Sequence, residues 1–215
     1  MKVLELFAGS RSFSKVAEKF GFETYTADIE PFEGIDQVCN IFDFDLDKMY
    51  NEFGEPDIIW ASPPCTTFSV ASISSHWTGG KGAYIPKTEA SKLGQQIVSE
   101  AISLIQMLAP KFFYIENPRG VLRKLDVITK HNFIRNTIWY CQYGDERAKP
   151  TDIWTNDCSW RPKPVCKNGN RDCHHQPAPR GSRTGTQGLK NAYERSKVPE
   201  KLCEEIINNL IEGGE

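Results

Sequence analysis

Several familiar signatures are missing from this 215-residue chain. There is no GxGxxG and no GxxxxGK[ST], which argues against a pyrophosphate cradle and so against NAD, FAD and ATP as cofactors. No apolar run approaches the roughly 18 residues of a membrane span, so no membrane partner is expected. The first residues, Met1 to Phe7, form a short strand pattern rather than a signal peptide. No internal repeat is present. Net charge is only -2, so the total argues neither for nor against nucleic acid. Cysteine does not come in an even number: there are seven. With Cys65 placed where a free thiol would react, this points to an intracellular, reducing setting. At 39% hydrophobic residues and a mean hydropathy of -0.48, the composition is that of a soluble α/β domain with a real core and at most a small appendage.

The charge is unevenly spread. Residues 1–146 carry 14 Lys and Arg against 19 Asp and Glu, whereas residues 147–201 carry 12 against 5. A basic segment on an otherwise acidic chain suits a polyanion contact; the alternative is a solvated, loop-rich surface. Strand patterns fall at 2–7, 23–27, 57–61, 111–115, 134–141 and 151–155, and helix patterns at 12–20, 46–53, 89–109 and 199–212. This alternation predicts an α/β fold, a mostly parallel sheet with helices on both faces. Ligands in such sheets bind at the carboxyl ends of the strands. Two stretches lack periodicity. Residues 66–88, rich in glycine and small polar residues, suggest a functional lid or a disordered loop. Residues 156–192 suggest an irregular insert too poor in apolar residues to hold itself together.

The residues with chemical potential cluster after predicted strands. Pro63-Pro64-Cys65 follows the run 57–61, posing a thiol at a strand tip; Glu116-Asn117-Pro118 follows the run 111–115. A thiol and a carboxylate so placed suggest covalent attack with acid help; a buried structural cysteine beside a helix-capping Glu is the bland alternative. The turn Phe7-Ala8-Gly9-Ser10 lets a ligand approach the backbone at a helix N-terminus. Asp28, about 20 residues on, is spaced to bind ribose hydroxyls, so a nucleoside-containing cofactor is expected. Asp43 is a candidate acceptor for an adenine amino group or, equally, the N-cap of helix 46–53.

Phe7-Ala8-Gly9, Pro63-Pro64-Cys65 and Glu116-Asn117-Pro118, in this order and spacing, resemble the DNA cytosine-5 methyltransferases. Gln142 to Lys149 resembles that family's basic QxRxR-type motif, and Arg195 to Pro199 its last motif. The phrasing around Trp60 and the run Asp152 to Asn156 are closest to short phage-type members. The resemblance implies a Rossmann-like S-adenosylmethionine-dependent fold and methylation of cytosine C5 in DNA. It makes Cys65 the nucleophile on C6, Glu116 the partner of N3 and the exocyclic amine, Arg147 a contact to O2 and phosphate, and Lys149 an assistant. It gives Phe7, Ala8, Gly9 and Ser10 to the methionine and ribose, Asp28 to the ribose, and Ile29 to the adenine face. Asn40 and Ile41, or Asp43, take the adenine edge, and Ser62-Pro63 borders the cofactor. It also implies a flipped base, with the 66–88 loop closing over it, and a cytoplasmic setting in a phage or prokaryotic host. Ser10-Arg11-Ser12 replaces the usual glycines, Pro118 departs from the sixth motif, and no large target recognition domain is present.

Cys158, Cys166, Cys173, His174 and His175 lie within 18 residues. Three thiols and one imidazole suit tetrahedral zinc, though the spacing is not that of a standard finger; unligated loop cysteines are the alternative. Arg161, Lys163, Lys167, Arg171, Arg180 and Arg183 surround them as a candidate DNA-facing surface. The expected organisation is a catalytic core at 1–155, the basic insert at 156–192, and a final motif and helix at 193–215. Two other functions compete: methylation of a free or single-stranded pyrimidine nucleotide, and a non-catalytic DNA-binding protein on the same fold. Intact Cys65, Glu116 and Arg147 argue against the second.

Overall fold

Strand β1 (Lys2–Leu6) explains the layering of the molecule. Successive side chains of a strand point to opposite faces. Val3 accordingly packs with one buried cluster, and Leu4 and Leu6 with another. The computed structural model describes residues 1–177 and 191–213. Along the chain, β1 leads to α1 (Ser12–Lys19), β2 (Glu23–Asp28), β3 (Gln37–Val38), α2 (Leu46–Glu52) and β4 (Ile58–Ala61). Next come α3 (Ile73–His76), β5 (Trp77–Thr78), β6 (Ile85–Pro86), α4 (Glu89–Leu108), β7 (Phe112–Pro118) and α5 (Asp126–Thr129). The order closes with β8 (Ile134–Trp139), β9 (Pro150–Thr155), α6 (Ala192–Ser196) and α7 (Glu200–Glu212).

Seven strands form one sheet in the order β3-β2-β1-β4-β7-β9-β8. All neighbours from β3 to β7 are parallel, and β9 runs antiparallel to both β7 and β8. The reversal has a sequence cause. A parallel return needs a crossover of about a dozen residues or more, and the link from β8 to β9 holds only 140–149. Helices α1 and α7 cover one face with Phe13, Val16, Leu202, Ile206 and Leu210. Helix α4, with α2 and α5, covers the other through Val98, Ile102, Ile105, Met49 and Ile128.

Helix α1 has no side-chain cap of its own: Arg11, at its N-cap, sits in the left-handed region at φ 56°. Glu5 of β1 supplies the acceptor instead, taking the N–H groups of Phe13 at 3.3 Å and Ser14 at 2.8 Å. Burial raises the Glu5 carboxyl above its ordinary range, and the bonds from Ser14 and Phe13 oppose that shift.

Residues 66–88 are better anchored than their composition suggests. Phe68 and Trp77 are buried in the core. The Trp77 indole donates to the Thr67 carbonyl at 2.7 Å, and β5 pairs with β6 to close the base of the loop. Gly120 lets this segment dock beside β7. A Cβ there would lie 2.1 Å from the Phe68 carbonyl oxygen, which accepts from the Val121 N–H at 2.8 Å.

The expected boundary at 156 falls inside packed structure. Asp157 accepts from Tyr114 Oη at 2.8 Å and from Asn209 Nδ2 at 3.0 Å. Trp160 is buried against the α7 face. Residues immediately after β9 are therefore part of the core, and the apolar-poor stretch begins only beyond Trp160. Arg180 and Arg183 lie outside the described residues.

Candidate active site

Strands β1, β4 and β7 are neighbours and parallel, with Leu6 opposite Ala61 and Ala61 opposite Ile115. Their carboxyl ends therefore bring Phe7–Ser10, Ser62–Cys65 and Glu116–Asn117 to one edge of the sheet. The Asn117 side chain ties two of these ends together, donating to the Pro63 carbonyl at 2.9 Å. Trp60 Nε1 donates to Ser62 Oγ at 2.8 Å. Beyond the prolines, the Cys65 carbonyl accepts from Phe68 and Ser69 at 3.0 and 3.1 Å, starting a turn with the thiol at its head.

Cys65 is half-buried and unpaired. Burial pushes its thiol up; Lys149 pulls it down, and Glu116 adds to the rise. Glu116 is 5% exposed. Its Oε1 accepts from Tyr140 Oη at 2.8 Å and lies 3.7 Å from Lys149 Nζ. Burial, then the Glu116 charge, hold the Tyr140 hydroxyl well above the phenol range, so it stays a donor. Lys149 Nζ also sits 4.5 Å from the centre of the Tyr140 ring. Cys65, Glu116 and Lys149 thus form one electrostatic unit.

Arg147 is held from two directions. Its Nε and Nη2 are held by the Asp145 carboxylate, and Nη1 donates to the Arg195 carbonyl at 3.2 Å. Asp145 raises the guanidinium pKa further. In this structure Arg147 joins the β8–β9 link to the segment before α7.

At the cofactor end, Phe7, Gly9 and Arg11 all have positive φ (58°, 48° and 56°). The turn takes this shape without the usual glycines at positions 10–12. Asp28 spans it, accepting from the Gly9 N–H at 2.8 Å and the Glu30 N–H at 2.9 Å. Ile29 is 62% exposed, an apolar side chain left bare beside that carboxylate. Ala8 and Ser10 are buried in the turn. Asp43 is exposed and is not the helix cap; Asp45 is, accepting from the Lys48 N–H at 2.9 Å. Ile41 packs in the core and Asn40 Oδ1 caps its own turn through the Phe42 N–H at 3.2 Å.

The cysteine–histidine cluster also differs from expectation. Cys158 is exposed and His174 faces the Asp145 carbonyl at 3.1 Å; neither joins the group. The side chains that converge are Cys141, Cys166, Cys173 and His175. Cys141 lies outside the insert, on the turn Tyr140–Tyr143, so spacing within the insert could not reveal it. Burial opposes ionisation of Cys166, but Asn170 and the neighbouring thiols outweigh it and hold this thiol below its ordinary range.

A small-residue turn spanned by Asp28 after one parallel strand, and a posed thiol after its neighbour, is the layout of a methyltransferase on a Rossmann-like fold. The comparisons agree. Residues 1–137 match the family described as C-5 cytosine-specific DNA methylase. A "Probable DNA (cytosine-5)-methyltransferase" of Frog virus 3 is 29% identical, the match covering 97% of this chain and 99% of that protein. A solved E. coli structure, described as a "putative DNA modification methyltransferase encoded within prophage", aligns with TM-score 0.52 at 15% identity. That match covers 78% of this chain and 52% of the other, so the chain spans about half the length of that relative. The chain belongs to the C-5 cytosine-specific DNA methylase family. It is accordingly a DNA cytosine-5 methyltransferase of the S-adenosylmethionine-dependent type. No helix among the described residues is long and apolar enough to cross a membrane.

Proposed function

We propose that the chain methylates C5 of a cytosine extruded from DNA through a covalent adduct between Cys65 Sγ and C6. The observation that carries this reading is the half-buried Cys65 thiol coupled to the buried Glu116–Lys149 pair across adjacent parallel strands. Addition of the thiolate to C6 makes C5 electron-rich. Glu116 accepts from the exocyclic amine and passes N3 the proton it needs as the thiolate adds; its Oε1 already accepts from Tyr140 and lies 3.7 Å from Lys149 Nζ. Lys149 offsets the negative charge that thiolate and carboxylate bring together. Once C5 has taken the methyl group, loss of its proton to a solvent water re-forms the C5–C6 double bond and expels Cys65 as thiolate. Arg147 acts by holding the Lys149 segment in place through Asp145 and the Arg195 carbonyl.

The residues fit S-adenosylmethionine. The Phe7–Ser10 turn would hold its methionine and ribose part, Asp28 the ribose hydroxyls, Ile29 the adenine face and Asp43 the adenine edge, with Ser62-Pro63 alongside. When bound there, the cofactor supplies an electrophilic methyl group. Both Asp28 oxygens already accept backbone N–H groups but retain lone pairs for hydroxyls. Asp28→Ala is expected to weaken S-adenosylmethionine binding by roughly 1–3 kcal/mol, the loss of hydrogen bonds to a charged group. Calorimetry on the purified variant checks this, and unchanged affinity would remove Asp28 from the site.

The decisive experiment for the function is incubation with labelled S-adenosylmethionine and double-stranded, single-stranded and nucleotide substrates. Label on C5 of cytosine in duplex DNA supports the proposal; label only on free or single-stranded pyrimidine supports the competing substrate. The proposed setting is a reducing, intracellular one, consistent with seven unpaired cysteines. The insert residues Arg161, Lys163, Lys167 and Arg171 are proposed to face DNA.

A further inference from the structure

We infer that Cys141, Cys166, Cys173 and His175 form a structural zinc site that fastens the basic insert to the segment carrying Arg147 and Lys149. Their four ligand atoms all lie within 4.8 Å of one another. Cys166 Sγ and His175 Nδ1 are 3.8 Å apart. Tetrahedral zinc with bonds of about 2.3 Å to sulfur and 2.0–2.1 Å to nitrogen sets its ligands roughly 3.5–3.8 Å from one another. Three soft thiolates select zinc over hard cations such as magnesium or calcium. A full set of four protein ligands leaves no open position, as in structural rather than catalytic sites.

The surroundings fit the same reading. Gln142 Nε2 donates to the sulfurs of Cys141 and Cys173 at 3.8 Å each, and Asn170 Nδ2 to that of Cys166 at 3.7 Å. N–H donors of this kind orient and stabilise metal-bound thiolates. The Gly169 N–H faces His175 Nε2 at 3.2 Å. Ligation through Nδ1 moves the ring proton to Nε2 and so requires a small shift of the Gly169 turn. The described part of the insert beyond Trp160 has little else to order it: Val165, its one large aliphatic side chain, is 67% exposed. A metal is the kind of staple that such a core-poor stretch needs.

The site also adjoins the catalytic unit. Cys141 follows Tyr140, the hydroxyl donor to Glu116. Gln176, next after His175, donates its N–H to the Glu146 carbonyl at 3.0 Å and forms a bridge with Arg147. Metal binding releases the thiol protons and ties both flanks of the Tyr140–Lys149 link to the insert.

The test is metal analysis of full-length protein purified without chelator, with cobalt(II) substitution as a spectroscopic probe. About one zinc per chain is expected, with thiolate-to-cobalt charge-transfer absorption in the substituted protein. Cys141→Ser and His175→Ala should each lose the metal, while Cys158→Ser should keep it. Should those two variants fail to fold, the wild-type protein still decides. Zinc-free wild-type protein whose cysteines alkylate equally with and without added zinc overturns the site. So does full zinc in Cys141→Ser, or a disulfide among the three cysteines. Metal content is read independently of methyl transfer, so an inactive protein that carries zinc would count against the proposed reaction and not against this site.

Discussion

Cys65→Ala is expected to abolish methyl transfer to DNA while S-adenosylmethionine still binds. Removal of a covalent nucleophile from an otherwise intact site costs roughly 10⁴–10⁶-fold in rate. The residues proposed for the cofactor lie in the turn after β1, at the end of β2 and on the turn after β3, with Ser62-Pro63 alone on the cysteine's own strand end, so loss of one sulfur should leave affinity nearly unchanged. Structural damage should be small, because the turn is held by the Cys65 backbone carbonyl, which accepts from Phe68 and Ser69. Wild-type protein should be trapped on DNA containing 5-fluorocytosine, where no C5 proton is available for elimination, and the alanine variant should not. The pH dependence follows from the thiol. Burial raises its pKa above the ordinary value, so at neutral pH the free enzyme holds mostly thiol. Alkylation of Cys65 by iodoacetamide should then climb about tenfold per pH unit, and continue to climb beyond the usual thiol range near 8.5. An active Cys65→Ala protein would end the covalent mechanism; a rate that levels off near neutrality would show that Lys149 outweighs burial.

The second large effect is expected at Glu116. Glu116→Gln keeps the shape of the side chain and removes its charge. The loss of a positioned acid–base group lowers kcat by roughly 10²–10⁴-fold. The substitution also strips the Lys149 ammonium, whose side chain is 13% exposed, of its carboxylate partner. An ion left buried without its partner is costly, so some fall in melting temperature should accompany the kinetic loss. Calorimetric binding of S-adenosylmethionine separates the two effects. A folded protein with normal cofactor affinity and a collapsed kcat places Glu116 in the chemistry. A variant with wild-type kcat would assign the Glu116–Lys149 pair to structure alone.

The principal elements were legible because their signals are local. The six strand patterns and four helix patterns all correspond to elements, with ends shifted by a few residues at most. β3, two residues long at the sheet edge, has too little sequence to show a period, and the β5–β6 pair is hidden among glycines and polar residues. The 66–88 segment was expected to be a lid or disordered because its composition is small and polar. Two buried aromatics, Phe68 and Trp77, give it an anchor that composition averages away. The sequence offers Asp43 equally as an adenine contact and as the N-cap of helix 46–53, whereas Asp45 holds the cap, a shift within the uncertainty of any boundary read from pattern.

What the sequence determined by itself was the order of chemical groups along the chain. A thiol, a carboxylate and a small-residue turn each follow an apolar run, and parallel strands must deliver such groups to one edge. Tertiary structure decided which groups meet across long separations. Tyr140 reaches Glu116, Lys149 completes that pair, and Arg147 pairs with Asp145. Cys141, from the link after β8, displaces Cys158 from the sulfur cluster. The physical reason is the same in each case. Strand β9 inserts in reverse between β7 and β8, so the 140–149 link folds back over the carboxyl end of β7, and only that packing sets which side chains it carries into contact.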